Sequence, residues 1–230
     1  MKREKEIDAL IERAQKQLNE IRSEYHKSLH DQHITDLLKV DVKNYCENIR
    51  SVLDYLAHTI REEHCPNTNP KDRFYFPILP DVTSFSALMS KWYPGLQSIK
   101  PDLYQSLGSF QPFQAGFDWL GKLNRINSEN KHGLLVEQTR QETVRITAKS
   151  HSGGQASWKP SGVNYGSGVF INGVPVDPKT QMPVPSATQT ITKTIWVDFL
   201  FDDINTSALQ LLERSMKGVK DIVSIVKKQI

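Results

Sequence analysis

Leu209-Gln210-Leu211-Leu212-Glu213-Arg214-Ser215-Met216-Lys217-Gly218-Val219-Lys220-Asp221-Ile222-Val223-Ser224-Ile225-Val226 sets Leu209, Leu212, Met216, Val219, Val223 and Val226 in alternating steps of three and four. That spacing is the a/d stripe of a helix with one apolar seam. Asn205, Thr206 or Ser207 stands ahead of it as a candidate N-cap. Such a seam has to be covered, by helices of the same chain or of a second copy.

Matching faces lie near the other end of the sequence. From Lys5 to about Leu29, the residues Ile7, Leu10, Ile11, Ala14, Leu18, Ile21 and Tyr25 recur at helical spacing. From about Thr35 to Glu63, Leu38, Val42, Tyr45, Ile49, Val52, Leu53, Leu56 and Ile60 do the same, until Cys65-Pro66-Asn67-Thr68-Asn69-Pro70 ends the pattern. These two segments predict an antiparallel helical hairpin. Phe74-Tyr75-Phe76-Pro77-Ile78-Leu79-Pro80 is apolar but broken by prolines, so it reads as an extended connector packing its aromatics. Shorter helices are predicted at Ser84 to Tyr93, Pro101 to Leu107 and Phe113 to His132, the last stopping at Gly133.

After Gly133 the apolar period changes to 2. Leu134-Leu135-Val136, Thr143 to Thr147, Gly168 to Val174 and the longer Gln189 to Phe201 read as strands separated by Gly, Pro and Ser. Asn172-Gly173 fits a two-residue hairpin turn. The fold class is therefore α+β, a single domain in which a helical bundle (1–133) is interrupted by a small antiparallel β-meander (134–203). A C-terminal helix (204–230) packs back on the bundle.

The 230 residues are 24% charged and 38% hydrophobic, the composition of an ordinary globular chain able to bury a core without disulfides. Two cysteines, Cys46 and Cys65, make no disulfide framework, and Met1-Lys2-Arg3-Glu4-Lys5-Glu6 lacks the apolar stretch of a signal peptide, so a cytoplasmic location is expected. No apolar run is long enough to span a membrane, and a formal net charge of +3 is too small to identify a nucleic-acid partner by itself.

The densest polar cluster on an apolar pattern is Asn124-Arg125-Ile126-Asn127-Ser128-Glu129-Asn130-Lys131-His132. Arg125 and His132 fall about 20° apart around a helix and about 10.5 Å apart along it, on one face. An arginine to hold a phosphate and a histidine to move a proton are what metal-independent RNA cleavage needs, since the 2′-hydroxyl attacks its own phosphate. A dimer that brings two copies together would shorten the gap between them. The same residues have a structural reading. Lys131 and His132 suit the negative end of a helix, and buried Asn127 and Asn130 would tie it to the connector near Phe76-Pro77-Ile78.

Several weak motifs occur in a fixed order: Asn48-Ile49-Arg50-Ser51-Val52-Leu53-Asp54-Tyr55-Leu56-Ala57, Phe76-Pro77-Ile78, Gln111-Pro112-Phe113, Trp119-Leu120 and Asn130-Lys131-His132. The set resembles a widespread bacterial family of helical proteins without an assigned activity, and it covers roughly positions 45 to 135. More distantly, Arg125 with His132 is similar to the signature of the HEPN superfamily of helical, often dimeric ribonucleases of bacterial toxin and defence systems. The resemblance implies Arg125 and His132 as catalytic residues, with Glu47 and Arg50 as polar supports on an earlier helix beside Asn127, Asn130 and Lys131. It also implies RNA as substrate and a homodimer.

Other chemistry is thinly represented. His26, His30 and His33, with His58, His64 and Cys65, sample metal-ligand spacing, but no Cys-x-x-Cys or His-Glu-x-x-His pattern supports zinc, and neither a metal nor another cofactor is expected. Asp198, Asp202 and Asp203 read as acidic residues leading into a helix N-terminus. Trp158, Tyr165, Phe170, Trp196, Phe199 and Phe201 offer either sheet packing or a stacking surface. The rival expectation is a non-catalytic assembly module that meets protein partners through its helical seam and β insert.

Overall fold

The computed structural model describes the chain except residues 2, 32–33, 67, 70, 132–137 and 202–203, and only the backbone of 29–31, 129–131, 139–143 and 193–199. The architecture is α+β, with seven α-helices among the described residues, small antiparallel sheets and the C-terminal helix packed on the bundle. Two compact units are formed, Met1–Thr139 with Phe199–Ile230, and Arg140–Asp198.

In the first unit, α1 (Glu4–Asp31) and α2 (Asp36–His64) form the expected hairpin. Thr35 caps α2 by accepting from the Leu38 amide at 3.2 Å, so the N-terminus of the second helix is set by its own sequence. In keeping with their antiparallel sense, Arg3, just ahead of α1, forms an ion pair with Glu62, near the end of α2 (2.5 Å). Ile7, Ala14, Leu18, Ile21 and Tyr25 are buried against the apolar face of α2.

Helix α7 (Ala208–Lys227) closes the bundle, capped by the Ser207 side chain. Its seam is filled inside the chain, by α1, α2 and α6 (Asp118–Lys131), with Leu212, Met216, Val219, Val223 and Val226 all buried. A homodimer or partner complex therefore has to use another surface. Polar pairs run beside the seam in heptad steps: Arg22 to Glu213 (2.7 Å), Gln15 to Lys220 (2.7 Å) and Asp8 to Lys227 (2.8 Å). This is the flanking pattern of a coiled-coil interface, and it makes α7 antiparallel to α1. Gly218 lies in the middle of α7, where glycine costs about 1 kcal/mol relative to alanine. Its reason is contact, because a Cβ there would overlap the Trp119 indole of α6.

Three short helices, α3 (Val82–Trp92), α4 (Leu96–Ile99) and α5 (Pro101–Ser109), lie between the hairpin and α6. α6 begins at Asp118, five residues later than its apolar pattern predicts. The preceding stretch turns repeatedly, through Gln114 to Gln111 and Phe117 to Gln114 backbone bonds, and Gly116 adopts a left-handed φ of 82° that a helix cannot contain. The expected stop at Gly133 and the strand at Leu134-Leu135-Val136 lie outside the described residues. Among the described residues, no helix is long and apolar enough to cross a membrane.

Among the described residues the β region forms two sheets where a single meander was expected. One has the order β2-β1-β6-β7, built from β1 (Gln138–Ser150), β2 (Gln155–Trp158), β6 (Gln189–Phe201) and β7 (Thr206–Ser207). The sequence-adjacent hairpin β1/β2 is there, but β1 has the sequence-distant β6 on its other side, which alternation within each strand cannot reveal. The other sheet is β3 (Phe170–Ile171), β4 (Val174–Asp177) and β5 (Met182–Pro183). Its turn is the expected Asn172-Gly173, both with positive φ (53° and 78°), pairing Ile171 with Val174. Within the second unit, Ile146, Ala148, Trp158, Ile171 and Val176 make a small core of their own.

Candidate functional site

Residues of three of the ordered motifs, Arg50 with Asp54, Phe76-Pro77 and Gln111, meet at the connector between α2 and α3. Phe74, Phe76 and Pro77 are buried there, yet a proline-broken segment has no ladder partner for its backbone. Side chains take that role. Arg50 donates to the Phe76 carbonyl (3.1 Å), and Asp54 accepts from the Phe76 amide (2.9 Å) while pairing with Arg50 (3.1 Å). Gln111, fully buried, donates to the carbonyls of Pro77 (3.0 Å) and Leu107 (2.8 Å) and accepts from the Leu79 amide (2.9 Å). The Tyr93 hydroxyl donates to the Tyr75 carbonyl (3.3 Å). Burial lowers the Arg50 guanidinium from its ordinary value while the Asp54 carboxylate opposes the shift, so the arginine remains a cation held inside the fold.

Helix α6 presents the other polar set. Trp119, Leu120, Leu123 and Ile126 face the core, which turns Asp118, Lys122 and Arg125 outward at i, i+4 and i+7 on one face. Lys122 bonds Asp118 (2.9 Å), and this hydrogen bond is the main cause that holds the Asp118 carboxyl below the usual carboxylate range. Arg125 is exposed and lines an open cleft of about 590 Å³ with Pro112, Asp118, Gly121, Lys122, Ile204 and Asn205. Gly121 lets α6 approach Pro112, whose ring carbons would lie 3.1 and 3.2 Å from an added Cβ.

The expected site residues are thus separated by environment. Arg125 is at the cleft, whereas His132 lies outside the described residues, as do the side chains of Asn130 and Lys131, which end α6. Asn127 is buried and its Oδ1 has no hydrogen-bond partner, so the tie to the connector expected of it is made instead by Arg50, Asp54 and Gln111. Arg50 is engaged in that clamp, and Glu47, half-buried on α2, lies 3.8 Å from Lys43. Neither is among the described residues that line the cleft. Lys122 escaped notice in the sequence although its i+4 and i+3 spacing to Asp118 and Arg125 marks it. Ile204 and Asn205 carry no local signal, because they reach the cleft only when the chain returns to form α7.

A smaller cavity of about 270 Å³ lies at the end of α2, lined in part by His58, Arg61, Cys65 and Phe74. Arg61 is buried above the Phe74 ring (4.2 Å to the centroid) and pairs with Asp72 (2.8 Å), while His58 packs on the same ring at 4.4 Å. Burial pushes the Cys65 thiol up to about 11, so it stays protonated at neutral pH. Among the described residues, no three His, Cys, Asp or Glu side chains are gathered to hold a metal ion. His33, Asp202, Asp203 and the side chains of His30 and Asp198 lie outside the described residues.

Of the β-region aromatics, Trp158 packs edge-on against Tyr165 (5.7 Å) and Phe201 is buried in the bundle core, whereas Phe170 is exposed beside its hairpin turn. The side chains of Trp196 and Phe199 lie outside the described residues. Comparison of the chain with family models, with curated proteins and with solved structures finds no match.

Proposed function

We propose that the protein is a HEPN-like, metal-independent ribonuclease of a bacterial defence or toxin system, acting in the cytoplasm, with its reaction centre along the outward face of α6. The observation that carries this reading is the exposure of Arg125 on an open cleft beside a second cation, Lys122. In the reaction, the 2′-hydroxyl oxygen attacks the adjacent phosphorus and His132 takes its proton. Arg125 stabilises the charge growing on the phosphoryl oxygens, and the 5′-oxygen leaves with a proton. The products are a 2′,3′-cyclic phosphate and a 5′-hydroxyl. The same reading takes the active form as a homodimer.

The test is cleavage of a mixed panel of labelled RNAs in EDTA by the purified chain and by folded His132→Ala and Arg125→Ala variants. Cleavage by the parent alone supports the reading, and equal cleavage by all three points to a contaminant and sinks it. A second reading, a non-catalytic binding module, is favoured by the burial of Arg50 and Asn127, two expected supports that stand in the bundle away from the cleft. No cleavage by any form at high enzyme concentration selects it, with the exposed Phe170 region of the β insert as its partner surface.

A further inference from the structure

We propose that the groove between α7 and the loop leading into α6 binds a base of the same RNA strand whose phosphate lies at Arg125; the inference rests on the RNA reading above. The groove holds about 330 Å³, within the range of small-ligand pockets. Phe117, half-buried, and Ile225, exposed, give it apolar walls, and Arg214 and Lys217 stand on its α7 side. Its shape depends on the bare backbone at Gly218, where the Trp119 indole lies against α7. An aromatic face with cations beside it is the chemistry that receives a nucleobase of a single strand, because every base offers a π-face and every linkage a negative charge.

Two features join this groove to the Arg125 cleft. Asp118 lines the cleft while Phe117 and Trp119 line the groove, so consecutive residues, with Cα atoms about 3.8 Å apart, form a ridge between them. Arg214 braces that ridge, donating to the Gly116 carbonyl at 2.8 Å. Among the described residues lining the two depressions are four cations, Lys122, Arg125, Arg214 and Lys217, and two carboxylates, Asp118 and Asp221. A strand laid over the start of α6 would put a phosphate on one side and a base on the other. A partner helix would be expected to seek a longer apolar trough than Phe117 and Ile225 provide.

The experiment is fluorescence anisotropy of a labelled, fully 2′-O-methylated RNA of about 12 nucleotides, which lacks the attacking hydroxyl and cannot be cleaved, titrated with the full chain and with Lys217→Glu, Phe117→Leu and Arg125→Ala. Lys217→Glu changes an exposed residue and is expected to weaken binding about tenfold and to flatten its salt dependence. Phe117→Leu keeps an apolar side chain but removes the ring, and is expected to cost about fivefold or more. If Arg125→Ala weakens binding while both groove variants bind like the parent, the base site is overturned and the cleft reading stands. If the parent itself does not bind the RNA, both readings fall.

Discussion

The connector clamp and the α6 cleft both contain an arginine singled out by sequence, but they use it in opposite ways. Arg50 is buried, faces Asp54, and has its charge directed at the backbone of Phe76. Arg125 is exposed and lines open space with Lys122. A guanidinium in the first setting fixes the path of the chain, and one in the second forms part of an exposed cleft wall. The set Arg50, Asp54, Phe76-Pro77 and Gln111 therefore serves, in this chain, to hold a proline-broken segment against the core. It says little about chemistry.

Substitutions sharpen that contrast in descending order of effect. Arg50→Ala removes the buried guanidinium from the Phe76 carbonyl and from the half-buried Asp54, and is expected to destabilise the protein by about 3 kcal/mol, read by urea or thermal unfolding, with the proposed activity per folded molecule retained. A stable but inactive Arg50→Ala would break the comparison. Arg125→Ala should do the reverse, lowering the proposed RNA cleavage about a hundredfold while shifting stability by no more than about 0.5 kcal/mol. Gln111→Ala exposes the connector's unmet carbonyls and amide to a dry interior and is expected to cost about 2 kcal/mol, with no effect on RNA binding by the folded fraction.

The smallest effect is a pH dependence. Burial, and then the nearby Arg3 charge, lowers the pKa of His58, and burial followed by Lys100 lowers that of His64. The unfolded chain then binds protons that the folded one refuses. Stability is full above the ordinary histidine value of about 6.5 and declines as pH falls from there towards the lowered folded values. Thermal midpoints taken between about pH 7.5 and pH 5.5 should decrease, and His58→Gln should flatten the trend; a rise in stability on acidification overturns the assignment.

Where one face of an element meets one core, its pattern was readable in the sequence. The stripes of α1, α2 and α7 gave the bundle, because burial at helical spacing is a one-dimensional signal. The Asn172-Gly173 turn was equally legible, since few other residue pairs accept positive φ twice in succession. The start of α6 was not, because the apolar Phe113 and Phe117 continue a helical period through turns set by Gly116. Nor was the neighbour of β1, which is decided by pairing over a long loop. At the candidate site, Arg125 was singled out by its type and spacing, and its exposure on the side of α6 away from Leu123 is a finding of the structure. Burial of Arg50 did not, because charged residues on α2 gave no hint that a backbone without partners would be laid against them.

The heptad ladder between α1 and α7 also bears on how the protein is made. Its three polar pairs join residues 191, 205 and 219 positions apart, with the whole β region lying between. A growing chain would therefore carry the α1/α2 hairpin with one apolar face uncovered throughout synthesis of the insert, until α7 left the ribosome. Contacts of such separation slow folding and prolong exposure of sticky surface. The small core of the β insert, by contrast, includes no residue of α7 and does not wait for it. Chaperone demand should accordingly fall on the interval before α7 emerges.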